Sequence, residues 1–113
     1  MALALNVFQT ITKVVPTTAV GIYTAPVGYT GVVLLAQAAN VGSETHQVSF
    51  SHQRTPAGIA VTTEIVKAFP ISNNDTSNLL PGKLVLETGD VLVISASNAS
   101  DVKFIGSILE TLN

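Results

Sequence analysis

Two histidines are the first residues of this sequence that could bind a metal or transfer a proton, because imidazole does both near neutral pH. His46 and His52 fall on the same face of a strand predicted over Thr45 to His52. At about 3.3 Å per residue of extended chain they are separated by about 20 Å, whereas the ligands of one zinc ion lie about 2 Å from the metal. The spacing excludes a metal site shared by the two histidines, and we predict no metal ligands.

The carboxylates and hydroxyls give no stronger catalytic pattern. Glu87 and Asp90 flank one predicted turn, where carboxylates commonly face solvent or accept bonds from backbone amides. Serine and threonine are frequent, but no glycine-x-serine-x-glycine motif occurs, and a nucleophile needs a base beside it. The glycines also lack the spacing of a phosphate-binding loop. We therefore predict no catalytic residues, no cofactor-binding residues and no enzymatic activity.

The polar segment Asn73 to Asn78 offers oxygen atoms that could bind a hard cation. It lacks the ligand spacing and the final bidentate glutamate of an EF-hand loop. The segment belongs to the longest predicted connection, Pro70 to Gly82, and long connections often carry binding sites. A plain turn and a loop that binds an ion or a glycan both stay open.

These side chains must be positioned by strands, because no segment shows a sustained helical repeat with a cap and a stop signal. Short runs rich in Val, Ile, Thr, Phe and Tyr alternate with Gly, Pro, Asn and Asp, which is typical of an antiparallel sandwich or barrel. We predict an all-β fold, an antiparallel β-sandwich with a jelly-roll or Greek-key arrangement of about eight strands. The predicted strands are Val7 to Val15, Val20 to Thr24, Gly31 to Asn40, Thr45 to His52, Val61 to Phe69, Lys83 to Glu87, Val91 to Ser97 and Val102 to Leu112.

The 113 residues suffice for one domain over 1–113, in which 1–19 could form an N-terminal strand or arm. Cysteine is absent, which excludes disulfides and thiolate sites. The apolar stretch Val32 to Ala39 is far shorter than the roughly 18 to 20 residues of a membrane span. Residues 1–5 lack the basic region of a secretory signal. We therefore predict no membrane association and a protein made inside the cell.

Charge is scarce. Only 11% of the residues are charged, against about 25% in typical domains, so part of the surface is expected to be covered by a partner. The net charge is −2, and the basic residues form no cluster that would bind a phosphate backbone. We predict no nucleic-acid binding and expect homo-oligomerisation.

Two strands are apolar on both faces, as expected of strands buried on both sides. They contain Gly31 to Ala36 and Phe104 to Leu109. One face of such a strand serves the core, and the other is available for a second subunit. The predicted interface candidates are Val32, Val33, Leu34, Leu35, Phe104, Ile105, Ile108 and Leu109.

The segment Thr88-Gly89-Asp90 separates two short apolar runs. A three-residue hairpin fits there, with Gly89 in the left-handed conformation that glycine adopts without steric cost. Gly89 and Asp90 are therefore predicted to lie in a hairpin between paired strands.

Four segments together resemble small virion structural proteins of tailed bacteriophages. They are Tyr23-Thr24-Ala25-Pro26-Val27-Gly28, Val32 to Asn40 continuing as Val41-Gly42, Leu84 to Leu92 with Leu86-Glu87-Thr88-Gly89-Asp90, and Ser107-Ile108-Leu109-Glu110. The resemblance covers about residues 20–112 and leaves residues 1–19 outside it. It is a resemblance of pattern, without a diagnostic motif.

The resemblance implies a β-sandwich of the virion, assembled in the host cytoplasm. It implies a capsid decoration or cement protein that stabilises the shell, with the major capsid protein among its partners and a trimer slightly favoured over a dimer. The alternatives are a neck, tail or fibre component, or a carbohydrate-binding module on a receptor-binding fibre.

Overall fold

The computed structural model describes residues 6–55 and 58–113. The described residues form nine strands: β1 (Asn6–Val14), β2 (Val20–Thr24), β3 (Tyr29–Asn40), β4 (His46–Arg54), β5 (Val61–Ile71), β6 (Asp75–Asn78), β7 (Leu84–Leu86), β8 (Val91–Ala96) and β9 (Val102–Leu112). No helix within them is long and apolar enough to cross a membrane. The predicted lack of a secretory signal falls on residues 1–5, which lie outside the described residues.

The strands form two antiparallel sheets that face each other, which confirms the predicted β-sandwich. The five-stranded sheet has the order β1-β9-β3, with β6 and β7 both paired to the far side of β3, and the four-stranded sheet has the order β2-β8-β4-β5. If β6 and β7 are counted as one interrupted strand, successive strands alternate between the sheets except for β4 and β5, which are neighbours in the four-stranded sheet, as in a jelly roll. Of the two arrangements predicted, the jelly roll is the one observed.

The core lies between the sheets and is filled from both by alternate residues. In β9 the inward residues include Val102, Phe104 and Ile108, and all three are buried. The ring of Phe104 stacks on Phe50 of the opposite sheet, with 5.7 Å between centroids, an arrangement favourable beyond simple burial. Gly106 makes room for this ring, because a Cβ there would lie 2.9 Å from Phe104. The glycine therefore belongs to the packing of β9 rather than to its termination.

One strand lies inside the predicted connection from Pro70 to Gly82. β6 (Asp75–Asn78) pairs with the end of β3, from Asn40 opposite Asp75 to Gln37 opposite Asn78. The prediction of eight strands missed it because four polar residues give no apolar alternation, whereas a backbone ladder needs none. The buried Asn40 side chain anchors this end of the sheet by donating to the carbonyls of Glu44 and Ile71.

The predicted hairpin at Gly89 and Asp90 is wrong in one respect. Gly89 has a φ of +88°, in the left-handed region, and the Asp90 amide donates to the Glu87 carbonyl across the turn. The flanking strands, however, do not pair: β7 belongs to the five-stranded sheet and β8 to the four-stranded sheet. The sequence specifies a tight turn here, but a local pattern cannot indicate whether the chain stays in one layer or crosses to the other.

We predict that Gly89→Val destabilises the fold by about 1 to 2 kcal/mol, because a side chain disfavours the left-handed conformation by about that amount. A Cβ at this position would contact nothing within 4 Å, so the cost is one of backbone conformation alone. Gly89→Asn is the control, since asparagine tolerates this region. Urea unfolding of the three proteins measures the effect. Equal stability of the valine and asparagine variants would contradict it.

Candidate assembly surface

The outer face of the five-stranded sheet is the face turned away from the core. Strand register divides it into rows of side chains that run across the strands. We call one of them the outer apolar row. It consists of Phe8, Leu109, Val32 and Val85, from β1, β9, β3 and β7. Since directly opposed side chains lie about 5 Å apart, these four form a continuous apolar band across four strands.

The outer apolar row is exposed at both ends and half-buried in the middle. Phe8 is 73% exposed and Val85 58% exposed, and the half-buried Val32 and Leu109 lie between them. The next row contains Leu35 opposite Ser107. Beside it lies Leu34, the extra residue of a register shift in β3, and it is 39% exposed. Contiguous apolar surface of this kind marks interaction sites in soluble proteins.

The two rows that contain Ile105 and Lys103 border a concave region of about 780 Å³. Ile105, Val14 and Ala39 contribute its apolar lining, and Lys13 and Lys103 bring two positive charges to it. Neither lysine forms an ion pair with a described residue. No carboxylate lies in any of the cross-strand rows of the outer face. A partner that docks here therefore meets an apolar surface with an unneutralised positive border.

The structure separates the eight predicted interface residues into two sets. Val33, Phe104 and Ile108 point into the core and are at most 3% exposed, so they cannot contact a second subunit. Their inclusion was wrong because it ignored the pleat, which turns alternate residues to opposite faces. The other five lie on the outer face: Val32, Leu34, Leu35, Ile105 and Leu109.

A carboxylate that was not predicted to be buried connects the two layers. Glu110 of β9 is 5% exposed, and it accepts a hydrogen bond of 2.5 Å from the Tyr23 hydroxyl of β2. The Gln9 amide of β1 donates to its other oxygen at 2.8 Å. Every second residue of β9 from Val102 faces inward, so alternation alone could have placed Glu110 in the core.

The candidate acid–base residues all have structural partners. His52 Nε2 and Asp90 Oδ2 lie 3.0 Å apart, and the Glu87 amide donates to the same oxygen. Arg54 pairs with Glu87 at 2.6 Å and approaches Asp90 at 3.4 Å. This network braces the intersheet turn against β4. The two carboxylates are thus bound to basic side chains and to backbone, beside a small concave region of about 170 Å³.

The second histidine lies in a separate contact. His46 Nε2 is 3.0 Å from Asp101 Oδ2, while His52 bonds to Asp90. Among residues 6–55 and 58–113 no group of three or more potential ligands could hold a metal ion. The polar segment Asn73 to Asn78 is occupied by β6 and its turn, where Asp75 Oδ1 accepts from the Thr76 amide.

Comparison with known proteins shows that this chain is similar to some of them in fold. No protein-family model matches the sequence, and no curated protein matches it. A chain of the infectious bursal disease virus particle matches 97% of this chain with 14% identity and a TM-score of 0.59, and this chain spans 32% of it. A chain of the acid-stable capsid of Helicobacter pylori bacteriophage KHP30 matches 96% with 15% identity and a TM-score of 0.55, over 89% of its own length.

A third similar structure comes from Bacillus endospore appendages, which form disulfide-linked pili. It matches all of this chain and 97% of its own, with 15% identity and a TM-score of 0.51. At these identities the likeness shows the fold alone. The chain therefore shares a β-sandwich fold with chains from two virus particles and from a pilus.

The buried carboxylate predicts how stability depends on alkaline pH. Burial is the main cause that raises the pKa of Tyr23, followed by its hydrogen bond to Glu110 and the charge of that carboxylate. Because the folded state holds the proton more tightly, this contribution to stability is complete below about pH 10, the unfolded pKa. It is lost as the pH rises above that value.

We predict that the unfolding free energy of the protein falls as the pH rises above about pH 10, the unfolded pKa of tyrosine. It should fall less steeply in Tyr23→Phe, which has no hydroxyl to ionise. Denaturant unfolding at several pH values measures both slopes. All other ionisable groups are common to both proteins, so the difference between them isolates Tyr23. Equal slopes would contradict the assigned role.

Proposed function

We propose that this protein is a virion structural protein, a capsid decoration or cement protein that binds the shell through the outer face of its five-stranded sheet. The observation that carries the proposal is the outer apolar row, Phe8, Leu109, Val32 and Val85. It lies on a face without carboxylates. Such a surface gains stability by burial, at about 25 cal/mol per Å² of apolar area.

The similar structures support a structural role in a virus particle. The bacteriophage KHP30 capsid chain is matched over most of its own length, so a small sandwich of this kind occurs as a whole chain of a phage particle. In the infectious bursal disease virus chain the similar part is about a third, 32%. The partner proposed here is the major capsid protein of the particle that carries this protein, and no catalysis is required.

A carbohydrate-binding module on a fibre is supported less well. Such modules present exposed aromatic platforms to sugar rings, and this chain has two Tyr, four Phe and no Trp. Tyr23, Phe50 and Phe104 are buried in the core. Phe8 is well exposed, but it lies within an apolar row that lacks the polar groups a sugar would need.

We predict that Val85→Glu weakens binding to the shell at least tenfold, because a carboxylate would be buried there without a partner. A tenfold loss corresponds to about 1.4 kcal/mol. Ile59→Glu is the matched control, since Ile59 is also exposed, at 68%, but lies outside the strands. The assay is cosedimentation with particles assembled from a genome that lacks this coding sequence.

Two outcomes would overturn the proposal. One is cosedimentation of Val85→Glu at the level of the unaltered protein, provided that both variants melt at similar temperatures. The other is failure of the unaltered protein to bind these particles. A cryo-electron microscopy reconstruction of the complete virion complements the assay, because density for the sandwich at the neck, tail or fibre would favour those alternatives.

A further inference from the structure

The outer edge of β1 is an open strand edge. Among the described residues β1 pairs with β9 alone, through nine consecutive residue pairs from Asn6–Thr111 to Val14–Lys103. The strand contains no proline and no bulge, and its one charge, Lys13, lies near its end. Such an edge presents a row of unpaired backbone donors and acceptors, which is a template for another strand.

The other described edges carry the features by which proteins prevent such pairing. β2 has five residues and an irregular register between Gly21 and Tyr23. β6 and β7 have four and three residues. β5 is long, but it contains Pro70, two register irregularities and a left-handed Ala68. Short edges, bulges and prolines all discourage pairing, and β1 has none of them.

The backbone of β1 indicates which residues face the open edge. The Val15 amide donates to the Val102 carbonyl at 2.9 Å, and this pair continues the register of β1 with β9. In an antiparallel ladder hydrogen-bonded pairs alternate with non-bonded pairs. The odd-numbered residues therefore bond to β9, and Phe8, Thr10 and Thr12 turn their backbone groups to the free edge.

We propose that β1 pairs with β1 of a second copy of this chain, antiparallel and with Thr10 on the two-fold axis. This register is the one in which strands Asn6–Val14 overlap along their full length. It makes Thr10 opposite Thr10 a hydrogen-bonded pair, and it places Phe8 opposite Thr12 of the second copy. Pairs of two threonines, and of an aromatic with a β-branched residue, stabilise neighbouring strands.

Charge and side-chain direction agree with this arrangement. Lys13 faces Val7 of the second copy, and the two lysines stand about 20 Å apart along the strands, beyond the screening length of about 8 Å. Each even-numbered residue of one β1 lies opposite an even-numbered residue of the other β1. The outer face of one copy therefore continues into the outer face of the second copy on one side of the joined sheet. Two outer apolar rows then face the same way. A contact of this symmetry closes as a dimer, whereas the sequence resemblance slightly favoured a trimer.

The test uses the absence of cysteine from the natural sequence. In a hydrogen-bonded antiparallel pair the Cα atoms lie about 5.5 Å apart, within the range that a disulfide spans. Thr10→Cys should therefore form a disulfide-linked dimer on mild oxidation, seen on a non-reducing gel. Thr62→Cys is the matched control, because Thr62 is an exposed threonine on the edge strand β5, and it should run as an unlinked chain on the same gel.

Light scattering on the protein without a cysteine gives the second measurement. At micromolar concentration we expect twice 11.7 kDa, and Thr10→Lys should return the mass of a monomer because it sets two like charges opposite each other. Thr62→Lys should remain a dimer. A monomer before any substitution, or a Thr10→Cys protein that links no faster than Thr62→Cys, would overturn the inference.

The inference does not depend on the proposed function, and the two can fail separately. A monomer that still binds the shell would overturn the strand pairing alone. A dimer held through β1 that does not bind the shell would overturn the proposed function alone.

Discussion

A two-layer sandwich has one interior, so each of its sheets can bury only one face within the chain. The strands at the centre of the five-stranded sheet, β3 and β9, are nevertheless apolar on both faces. Their inward residues, such as Val33 and Ile108, complete the core. The outward residues, such as Val32 and Leu109, remain partly exposed to water although they are of the types that fill a core. This excess of apolar surface is the feature from which the proposed docking follows.

The same alternation that fills the core brings a carboxylate into it. Glu110 occupies an inward position of β9, and the hydroxyl of Tyr23 and the amide of Gln9 satisfy its oxygens. Removing one partner of a buried charge is costly, and these partners come from both sheets. We infer that Glu110 and its two donors fix the relative position of the two sheets at the β1 and β2 edges. An apolar residue would allow several relative positions of the sheets, whereas this hydrogen-bonded network allows one.

The sequence correctly predicted the strands and turns that depend on local pattern. It did not predict the features that depend on pairing between distant strands. Alternation and turn residues identified the strands, and glycine identified the left-handed turn at Gly89. They could not indicate that β7 and β8 lie in different sheets, because both present the same alternating apolar residues. They missed β6, since its ladder depends on β3 rather than on its own side chains. The interface residues were located to the correct strands, and attention to the pleat would have excluded Val33, Phe104 and Ile108.

The acidic residues, finally, are all absent from the cross-strand rows on the outer face of the five-stranded sheet. Of the seven acidic residues, Glu110 is buried, and Glu87, Asp90 and Asp101 pair with a cation or a histidine at turns. The other three, Glu44, Glu64 and Asp75, lie outside the cross-strand rows of the outer face. The five-stranded sheet thus presents no negative charge to whatever it meets, and Lys13 and Lys103 lie at its border without partners among the described residues. Because an unpaired carboxylate in a contact costs far more than an apolar side chain exposed to water, this distribution favours a face that is covered in the working state.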